Sequence, residues 1–534
     1  MKRISPGLFV VLAAAAAVHL AIALQDFGTL ARNGFLYDDS FYAFQIARNI
    51  AHGEGATFDG IHATNGFQPL YVGVLVPLYW IAGNSPTLPI HLALVISALL
   101  TVATAFILYR LVARHASETA ALIVAGAWAF SPIVIRQAAN GLETALSLFA
   151  CALAVDFYLH RVRSALSPRR RTFLALGALL GFAMLARVDL GFLALAMCLD
   201  YLLVARRRMQ RETVTLPWRG NVATVAAAAA IVCLPWAVYG IASVGSPLSE
   251  SGRATRTLAI AYAPFFDLAS SSEPEPNAGF VARHFERSLK TLKVIPAVHP
   301  VFRGVRKVSE GMRAGEVAAN IIGVVLLAVS AGWWWRRRRA RTDMRELDFL
   351  LLFSIMMIVA YSTYIFGVFF FLRYYYPLYF VAMVFAGLAV DDVIAWASAR
   401  SMNVRRTALA ASGVYAAALL FMGYTSAFRT VPVYGFYDAA RWVATHTDAS
   451  ETIGVFQGGA IGYLSERRVV NLDGKVNAEA YQAMREGRLR EYVDRADIDL
   501  VLDSARVLDL FLGPWSEQDR ERIAHDTVFD GSRH

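Results

Sequence analysis

The sequence is poor in charged residues and in cysteine. Only 17% of its 534 residues are Asp, Glu, Lys or Arg, whereas 57% are hydrophobic, and the mean hydropathy is +0.45. A soluble protein of ordinary composition has about 25% charged residues, so the shortage indicates an integral membrane protein. Cys151, Cys198 and Cys233 all lie inside apolar segments, where they indicate small buried side chains and no disulfide framework or thiolate metal site.

The sequence also lacks a repeat of fixed period and any low-complexity tract beyond its alanine-rich segments. Its net charge of +10 at pH 7 could indicate an acidic partner such as nucleic acid. The arginines, however, are concentrated in short loops between apolar segments, which is the distribution of the positive-inside rule. We therefore expect membrane lipids around the chain and no nucleic-acid partner.

About eleven apolar segments, each roughly 15–25 residues long, are predicted to cross the membrane as helices. Lys2 and Arg3 precede the first segment, which we interpret as a retained anchor with a cytoplasmic N-terminus rather than a signal peptide, because many spans follow it. The segments lie at about 7–24, 90–109, 119–134, 142–159, 172–186, 190–205, 221–242, 316–335, 347–366, 373–394 and 407–426.

A further apolar segment at 70–82 is too short for its length to show whether it crosses the membrane. The positions of the arginines are therefore used to choose between the two topologies. If it lies at the interface without crossing, all the arginine clusters fall in the cytoplasm, as the positive-inside rule requires. The outer segments are then about 25–89, 243–315 and the chain from 427 onward. The clusters lie at 110–114, 161–171, 206–211, 336–345 and 400–406.

The last outer segment is predicted to be a small α/β domain at 427–534, resting on a transmembrane domain at 1–426. Helical patterns alternate in it with β-rich runs, which favours an α/β arrangement. It lacks a phosphate-binding glycine loop, and Gly458, Gly459 and Gly462 are interpreted as turn residues. The helices are expected near 437–445 and 478–486, and the strands near 452–456, 468–472 and 498–502.

The predicted fold class is thus an all-α polytopic membrane protein with a small extracytoplasmic α/β domain at its C-terminal end. Two adjacent acids, Asp38 and Asp39, begin the polar stretch 37–70 that follows the first apolar segment. Either acid alone could be an ordinary helix cap. Only one can occupy that position, and two like charges side by side are retained more readily where they serve a cation or a proton transfer.

A short amphipathic helix is predicted directly after these acids, over about 40–52. Asp39 or Ser40 is expected to cap its start, and Gly53 and Gly55 are expected to end it. One face is apolar and is expected to lie on the membrane surface, and the opposite face is polar. The apolar face comprises Ala43, Ile46, Ala47 and Ile50, and the polar face Gln45, Arg48, Asn49 and His52.

Further polar residues recur at helix ends on the same outer side. Their convergence from separate loops favours a site, because none of the cytoplasmic loops has comparable acids beside helix breaks. They are Arg136, Asn140 and Glu143 in SPIVIRQAANGLET, Arg187 and Asp189 in ARVD, Arg373 and Tyr374 in FLRYYYP, and Ser249, Arg253 and Arg256 in GSPLSESGRATR.

These residues also have purely structural explanations. Arg187 and Asp189 could pair with each other at a helix break. Arg373 could extend to the lipid headgroups, as arginines near helix ends often do. Glu143 could complement the dipole of the helix that it precedes, and Arg253, like Arg256, could belong to a solvated face.

Acids and arginines on one outer side suit a reaction in which an anionic lipid carries the reactive group. Arginine binds phosphate oxygens through two parallel hydrogen bonds, and a carboxylate can remove a proton from an attacking hydroxyl. Nucleotide sugars are not expected outside the cell, so a lipid-linked donor would supply the sugar there.

Several motifs, taken in order, resemble bacterial C-type (GT-C) glycosyltransferases. These polytopic enzymes are related to protein O-mannosyltransferases, to the lipid A aminoarabinose transferase and to mycobacterial arabinofuranosyltransferases. The resemblance implies transfer of a sugar from a polyprenyl-phosphate carrier to a cell-envelope glycan, lipid or protein on the outer face of the inner membrane, usually with inversion. The motifs are the adjacent acids, FYAFQIARNIAHGEG, TNGFQPLY, GLET, ARVDLG, FLRYYYPLY and YLSERRVVNLDG.

The resemblance also implies roles for the candidate residues. One of Asp38 and Asp39 would be the general base, and the other would orient the acceptor or a divalent cation. Glu143 would be a second acidic residue of the site. The need for a metal stays open, with Asp39 and Glu143 as its ligands if there is one, and no other cofactor is expected.

The remaining candidates divide between the carrier phosphate and the sugar or acceptor. Arg373, with Tyr374 and either Arg253 or Arg256, would hold the carrier phosphate. The residues expected to line the substrate cavity are His62, Asn65, Gln68, Arg136, Arg187 and Asp189. His62 could equally be an ordinary loop histidine.

Two other functions remain in view. A lipid-linked oligosaccharide polymerase or ligase would also use outer arginines, but it would be expected to have its largest loop late in the helix array and no paired acids after the first helix. A transporter would need polar or broken helices near the middle of the membrane, whereas the polar residues here lie at helix ends.

Overall fold

The computed structural model describes residues 5–165, 168–212, 217–262, 331–364, 372–400 and 435–513, together with 402–403, 406–407 and 410. Residues 331–340 are helical, a π-helical turn (Tyr158–Arg163) continues α8, and short 3-10 helices cover Val188–Leu190, Thr342–Leu347 and Leu372–Tyr375. The α-helices are α1 Pro6–Ala23, α2 Phe27–Arg32, α3 Asp38–His52, α4 Pro69–Ala82, α5 Leu88–Ala113, α6 Glu118–Ala129, α7 Pro132–Ala138, α8 Thr144–Phe157, α9 Arg170–Ala186, α10 Gly191–Glu212, α11 Trp218–Val244, α12 Glu250–Tyr262, α13 Asp348–Tyr364, α14 Tyr376–Ser398, α15 Phe436–His446, α16 Gly459–Leu464, α17 Ala478–Arg485, α18 Leu489–Arg495 and α19 Ala505–Leu512.

Six helical stretches of the described ranges are long and apolar enough to cross a membrane, or seven if the bent pair α6 and α7 forms one span. They are Pro6–Ala23, Leu88–Ala113, Thr144–Arg163, Val188–Gln210, Trp218–Val244 and Arg373–Ser398. The predicted spans at 172–186 and 347–366 are also helical, as α9 and α13, each of 17 residues. Most of the predicted spans at 407–426 and 316–335 lies outside the described residues, so the number eleven stays a prediction.

The predicted span at 119–134 is broken. Helix α6 ends at Ala129, and α7 begins at Pro132 in a direction that differs by 54°. Proline suits the first turn of a helix, where its missing N–H is not needed, but it disrupts a helix interior. The loop that follows α7 leads to Glu143, which directly precedes α8.

Helices α9 and α11 pack closely because two glycines face the contact. A Cβ atom at Gly177 would overlap the carbonyl oxygen of Val225, and one at Gly181 would lie 2.8 Å from the Cβ of Val232. Glycines four residues apart lie on one face of a helix, so the spacing lets the two backbones approach each other, as is common between membrane helices.

The C-terminal residues form the predicted small α/β unit. Strands β1 (Thr452–Val455), β2 (Arg468–Asn471) and β3 (Leu500–Val501) make a parallel sheet in the order β2-β1-β3, with Gly454 opposite Val470 and Val501. The predicted helices near 437–445 and 478–486 are present as α15 and α17. The proposed domain boundary at 426–427 falls outside the described residues.

The interpretation of Gly459 and Gly462 as turn residues was wrong, because both lie in α16. A Cβ atom at Gly459 would overlap the main-chain oxygen of Asp38, and one at Gly462 would lie 2.5 Å from the ring of Phe58. Only glycine fits at these two contacts, so the glycines of this segment allow α16 to pack against the first outer loop.

Helix α3 differs from its prediction in two respects. It begins at Asp38 rather than at position 40, and Gly53 ends it with a φ of +87°, as predicted. Its polar face is only partly exposed: Gln45 and Asn49 are buried and hydrogen-bonded to each other at 3.0 Å, whereas His52 is exposed. Because α4 packs on one side of α3 and α16 on another, the helix is enclosed on more sides than its own sequence indicates.

Candidate active site

The adjacent acids lie in the first turn of α3 and have different partners. The carboxylate of Asp38 accepts hydrogen bonds from the backbone N–H groups of Ala460 at 2.7 Å and Gly459 at 3.3 Å. The carboxylate of Asp39 accepts a hydrogen bond from Arg373 Nη2 at 2.6 Å, and its other oxygen lies 4.0 Å from Lys475 Nζ. The prediction that Asp39 or Ser40 caps α3 was wrong, because both lie inside the helix.

These partners separate the pKa values of the two acids. Burial raises the pKa of Asp38 to about 7, although the amide of Ala460 opposes this, and the negative charge of Asp39 adds to the rise. Burial would raise the pKa of Asp39 as well, but Arg373 and Lys475 outweigh burial and lower it to about 2. At neutral pH, Asp39 is therefore ionised, while Asp38 exchanges between its two forms.

A second charged cluster lies at the ends of the membrane helices. Arg187 donates to Glu143 at 2.8 Å and to Asp189 at 2.8 Å, and it is 6% exposed. Tyr361 donates a hydrogen bond to Asp189. The pairing of Arg187 with Asp189 that the sequence suggested is thus present. Glu143 is more than a helix-dipole partner, because it shares the same buried arginine.

Tyr374 connects the two clusters. The guanidinium carbon of Arg187 lies 5.4 Å from the centre of its ring, and that of Arg373 lies 5.2 Å from it. Arg373 therefore does more than extend to lipid headgroups, because it joins Tyr374 to Asp39. A continuous arrangement of charged and aromatic groups runs from Glu143 to Asp39.

Asp39 and Glu143, the residues suggested as ligands of a divalent cation, are each paired with an arginine and do not form a metal site with each other. Glu143 is paired with Arg187, and Asp39 is paired with Arg373, so each carboxylate already has a cation. Within the described parts of the chain, no group of three His, Cys, Asp or Glu residues is placed to hold a metal ion.

Asn65, which was expected to line the substrate cavity, is hydrogen-bonded between two outer segments of the chain. Its side chain is fully buried, its amide nitrogen donates to the carbonyl oxygen of Ser246 at 3.0 Å, and its amide oxygen accepts from the N–H of Glu250 at 2.9 Å. The neighbouring Thr64 donates to the Glu250 carboxylate at 2.5 Å. This segment of the first outer loop therefore fixes the start of α12.

The other predicted lining residues of the outer loops are not brought to Asp39 by any described contact. His62 binds Asp59 at 2.6 Å, and this hydrogen bond raises the pKa of His62. Gln68 directly precedes α4, and its side chain does not cap that helix. Arg136 is half-buried in α7 and forms no ion pair with the described part of the chain.

The two arginines of α12 face different surroundings. Arg253 lies over the ring of Tyr481 in α17, with 5.4 Å between the guanidinium carbon and the ring centre. Arg256 is exposed. Of the arginines assigned to the carrier phosphate, Arg373 is the one that contacts the paired acids in the described structure.

Sequence reasoning missed Lys475 and Asp473, which lie in the loop after β2. Lys475 Nζ is 2.8 Å from Asp473 and 4.0 Å from Asp39. The available signal was the run NLDGKVN, because side chains at the carboxyl ends of parallel strands often form sites. Nothing in the local sequence showed that this loop faces Asp39.

Comparisons with known proteins agree with this architecture. Residues 81–239 match the family described as dolichyl-phosphate-mannose-protein mannosyltransferase, and residues 425–529 match a domain of unknown function (DUF8728). A comparison of the whole sequence with curated proteins gives no match. The mannosyltransferase match covers less than a third of the chain. The fold is therefore compared with solved structures, which match most of the chain.

Two solved proteins share this fold over most of the chain. ArnT from Cupriavidus metallidurans, in its apo state, is 16% identical, with a TM-score of 0.55, and the match covers 94% of this chain and 90% of that one. The Archaeoglobus fulgidus oligosaccharyltransferase AglB, in complex with an inhibitory peptide and a dolichol-phosphate, is 16% identical, with a TM-score of 0.54, and the match covers 92% of this chain and 69% of that one.

The family match and the shared fold together indicate a glycosyltransferase, as the sequence predicted. The helices long enough to cross a membrane agree with this assignment. The chain is thus an integral membrane protein with the fold of the GT-C glycosyltransferases, and its resemblance to them is confirmed.

Proposed function

We propose that the chain transfers a sugar from a polyprenyl-phosphate carrier to a cell-envelope acceptor on the outer face of the bacterial inner membrane. The observation that carries this proposal is the position of Asp39 between the cations Arg373 and Lys475. A carboxylate beside two cations suits a reaction in which a hydroxyl loses a proton while a phosphate departs.

Asp39 is the better candidate for the general base. Its side chain is 32% exposed, so an acceptor hydroxyl can reach it, and its charge is present at neutral pH. Asp38 has the higher proton affinity of the two, but its two oxygens already accept the backbone N–H groups of Gly459 and Ala460, which link it to α16. We assign Asp38 to holding α16 against α3.

The reaction is a single displacement at the anomeric carbon of the donor sugar. The acceptor oxygen forms the new bond, its proton passes to Asp39, and the bond between the anomeric carbon and the phosphate oxygen breaks. The electron pair of that bond stays on the departing polyprenyl phosphate, whose charge Arg373 stabilises. Attack opposite to the leaving group inverts the anomeric configuration.

Arrival of the donor is expected to make Asp39 a stronger base. In the described structure, Arg373 together with Lys475 lowers the pKa of Asp39 to about 2, so the carboxylate has a low affinity for a proton. A donor phosphate that shares the guanidinium takes part of this stabilisation and adds a negative charge nearby, and both effects raise the pKa of a carboxylate. The base is then strengthened only when the leaving group is present.

Two solved relatives support a polyprenyl-phosphate donor. ArnT from Cupriavidus metallidurans has been solved bound to undecaprenyl phosphate, and AglB from Archaeoglobus fulgidus with a dolichol-phosphate. The match to AglB also favours a second candidate, in which a lipid-linked oligosaccharide is transferred as a whole. Both candidates use the same phosphate site and differ in the size of the group on the carrier.

The test is mass spectrometry of the purified protein incubated with polyprenyl-phosphate sugars and cell-envelope extract. Wild type is expected to release free polyprenyl phosphate, whereas Asp39→Asn should lose about 10²-fold or more of this rate, the usual contribution of a general base. Asp494→Asn, which changes an exposed acid of α18, is the matched control and should retain the wild-type rate.

Equal release by wild type and Asp39→Asn would contradict the assignment of the base. Consumption of oligosaccharide carriers alone, with every monosaccharide carrier left intact, would instead establish the second candidate.

A further inference from the structure

Lys475 belongs to the C-terminal unit but faces the paired acids of the first outer loop. Its ammonium group lies 2.8 Å from Asp473, and its backbone N–H donates to the same carboxylate at 3.0 Å. Asp473 is almost completely buried, so it can fix both the loop and the direction of the lysine side chain. This arrangement aims the ammonium group at the Asp39 oxygen that Arg373 does not occupy.

The loop that carries Lys475 is held closely against the first outer loop. A Cβ atom at Gly66 would overlap the main-chain oxygen of Lys475, so the two backbones are in direct contact. On the other side of the loop, the Tyr42 hydroxyl accepts hydrogen bonds from the N–H of Gly458 at 2.9 Å and from Asn471 Nδ2 at 3.1 Å. The position of Lys475 is thus determined by contacts between the two units.

We propose that Lys475 is a positioning residue for the transfer reaction, supplied by the C-terminal unit, and that it holds the Asp39 carboxylate in place when Arg373 binds the donor phosphate. This inference rests on the proposed function. Two cations flank one carboxylate, and they lie against different oxygens. When Arg373 binds the donor phosphate, Lys475 keeps the Asp39 carboxylate ionised and directed towards the acceptor.

The site is therefore composite. The membrane helices and first outer loop supply Asp39 and Arg373, and the C-terminal unit supplies the second cation. A protein in which the C-terminal unit is displaced by a small distance would bind the carrier and turn it over slowly.

The experiment measures two quantities, the Kd for polyprenyl phosphate by native mass spectrometry and the kcat for release of the carrier. Lys475→Met is expected to lower kcat about 10- to 100-fold and to leave Kd within about twofold. This loss is smaller than the roughly 10²- to 10³-fold for a direct donor to a developing charge, because Lys475 acts through Asp39. Lys475→Arg restores the charge and should recover most of the lost kcat.

Gly66→Ala tests the contact between the units without changing Lys475 itself. It should displace the loop and lower kcat in the same way as Lys475→Met. Gly73→Ala is its matched control, because a Cβ atom at Gly73, in α4, meets no atom within 4 Å. This control should keep the wild-type kcat.

A Lys475→Met variant with wild-type kcat overturns the inference, and so does a Lys475→Arg variant that fails as badly as Lys475→Met. A rise in Kd that accounts for the whole loss also overturns it, because Lys475 would then bind the phosphate itself. A wild-type protein that consumes no carrier overturns the proposed function, and the role of Lys475 with it, so the two failures are distinguishable.

Discussion

Arg373 donates a hydrogen bond at 2.6 Å to Asp39, although 334 positions separate the two residues in the sequence. The pair joins the start of the last described membrane helix to the first outer loop. It places an arginine, which can bind a phosphate, beside a carboxylate, which can accept a proton. The proposed phosphate-binding residue and the proposed base are therefore already hydrogen-bonded to each other in the protein without substrate.

Replacing Arg373 should affect binding and catalysis together. Arg373→Gln removes the guanidinium from Asp39 and from the proposed phosphate position, so carrier release should fall about 10²- to 10³-fold, as for loss of a donor to a developing charge. The Kd for polyprenyl phosphate, measured by native mass spectrometry, should rise. Arg488→Gln is the control, because its exposed ion pair with Glu486 contributes little. An unchanged Kd in Arg373→Gln would contradict the role in phosphate binding.

The buried arginine of the second cluster should be more important for stability than either acid. Arg187→Met leaves Glu143 and Asp189 in a buried site without their cation, and breaking a buried pair in this way costs about 3–5 kcal/mol. Glu143→Gln keeps a hydrogen-bond acceptor for Arg187 and leaves its pair with Asp189, so its cost should be clearly smaller. Thermal unfolding in detergent measures both. Equal melting temperatures for Arg187→Met and Glu143→Gln would contradict the prediction that Arg187 contributes more to stability than Glu143.

The raised pKa of Asp38 should appear in the dependence of stability on pH. Because burial raises it from 3.8 to about 7, the folded protein holds this proton more tightly than the unfolded chain does. The contribution of Asp38 to stability is therefore largest below about pH 4 and is lost as the pH rises towards 7. The melting temperature of wild type minus that of Asp38→Asn should fall over this range. A difference that stays constant or increases would contradict the pKa shift.

The contact between α9 and α11 should tolerate no added side chain. Gly177→Ala places a methyl group against the backbone of Val225, and overpacking of this kind costs about 1–3 kcal/mol. Gly220→Ala, in α11, is the control, because its Cβ atom would meet no atom within 4 Å. Thermal unfolding should separate the two variants. A Gly177→Ala protein as stable as the control would mean that the two helices are less closely packed than described.

Local patterns predicted the parts of this protein whose physical causes are local. Hydropathy identified the long apolar helices of the described residues, and alternation of β-rich and helical runs identified the small sheet with α15 and α17. The helix break at ARVD indicated the pair Arg187 and Asp189, because residues two apart at a break can meet without information from elsewhere. The position of Asp38 and Asp39 at the start of α3 was also accessible, within two residues.

Contacts between distant segments were not predictable in the same way. Helix α16, which packs against α3, lies more than 400 positions later, so the periodicity of α3 alone indicates a solvated face. The buried Asn49 also donates to the main-chain oxygens of Thr57 and Phe58, beyond the end of the helix. Asn65 was assigned to a cavity because polar loop residues often line one, but it fixes the start of α12. Lys475 was missed because its role depends on how the C-terminal unit packs against Gly66.

Single displacement with Asp39 as the base is tested most directly by measuring the transfer of an isotope-labelled sugar from its polyprenyl-phosphate carrier to the acceptor. Wild type and Asp39→Asn are compared, and the anomeric configuration of the product is read by NMR spectroscopy. We expect that only the wild-type protein transfers the label and that the anomeric configuration of the product is opposite to that of the donor. Transfer by Asp39→Asn at the wild-type rate, or a product with retained configuration, would contradict single displacement with Asp39 as the base.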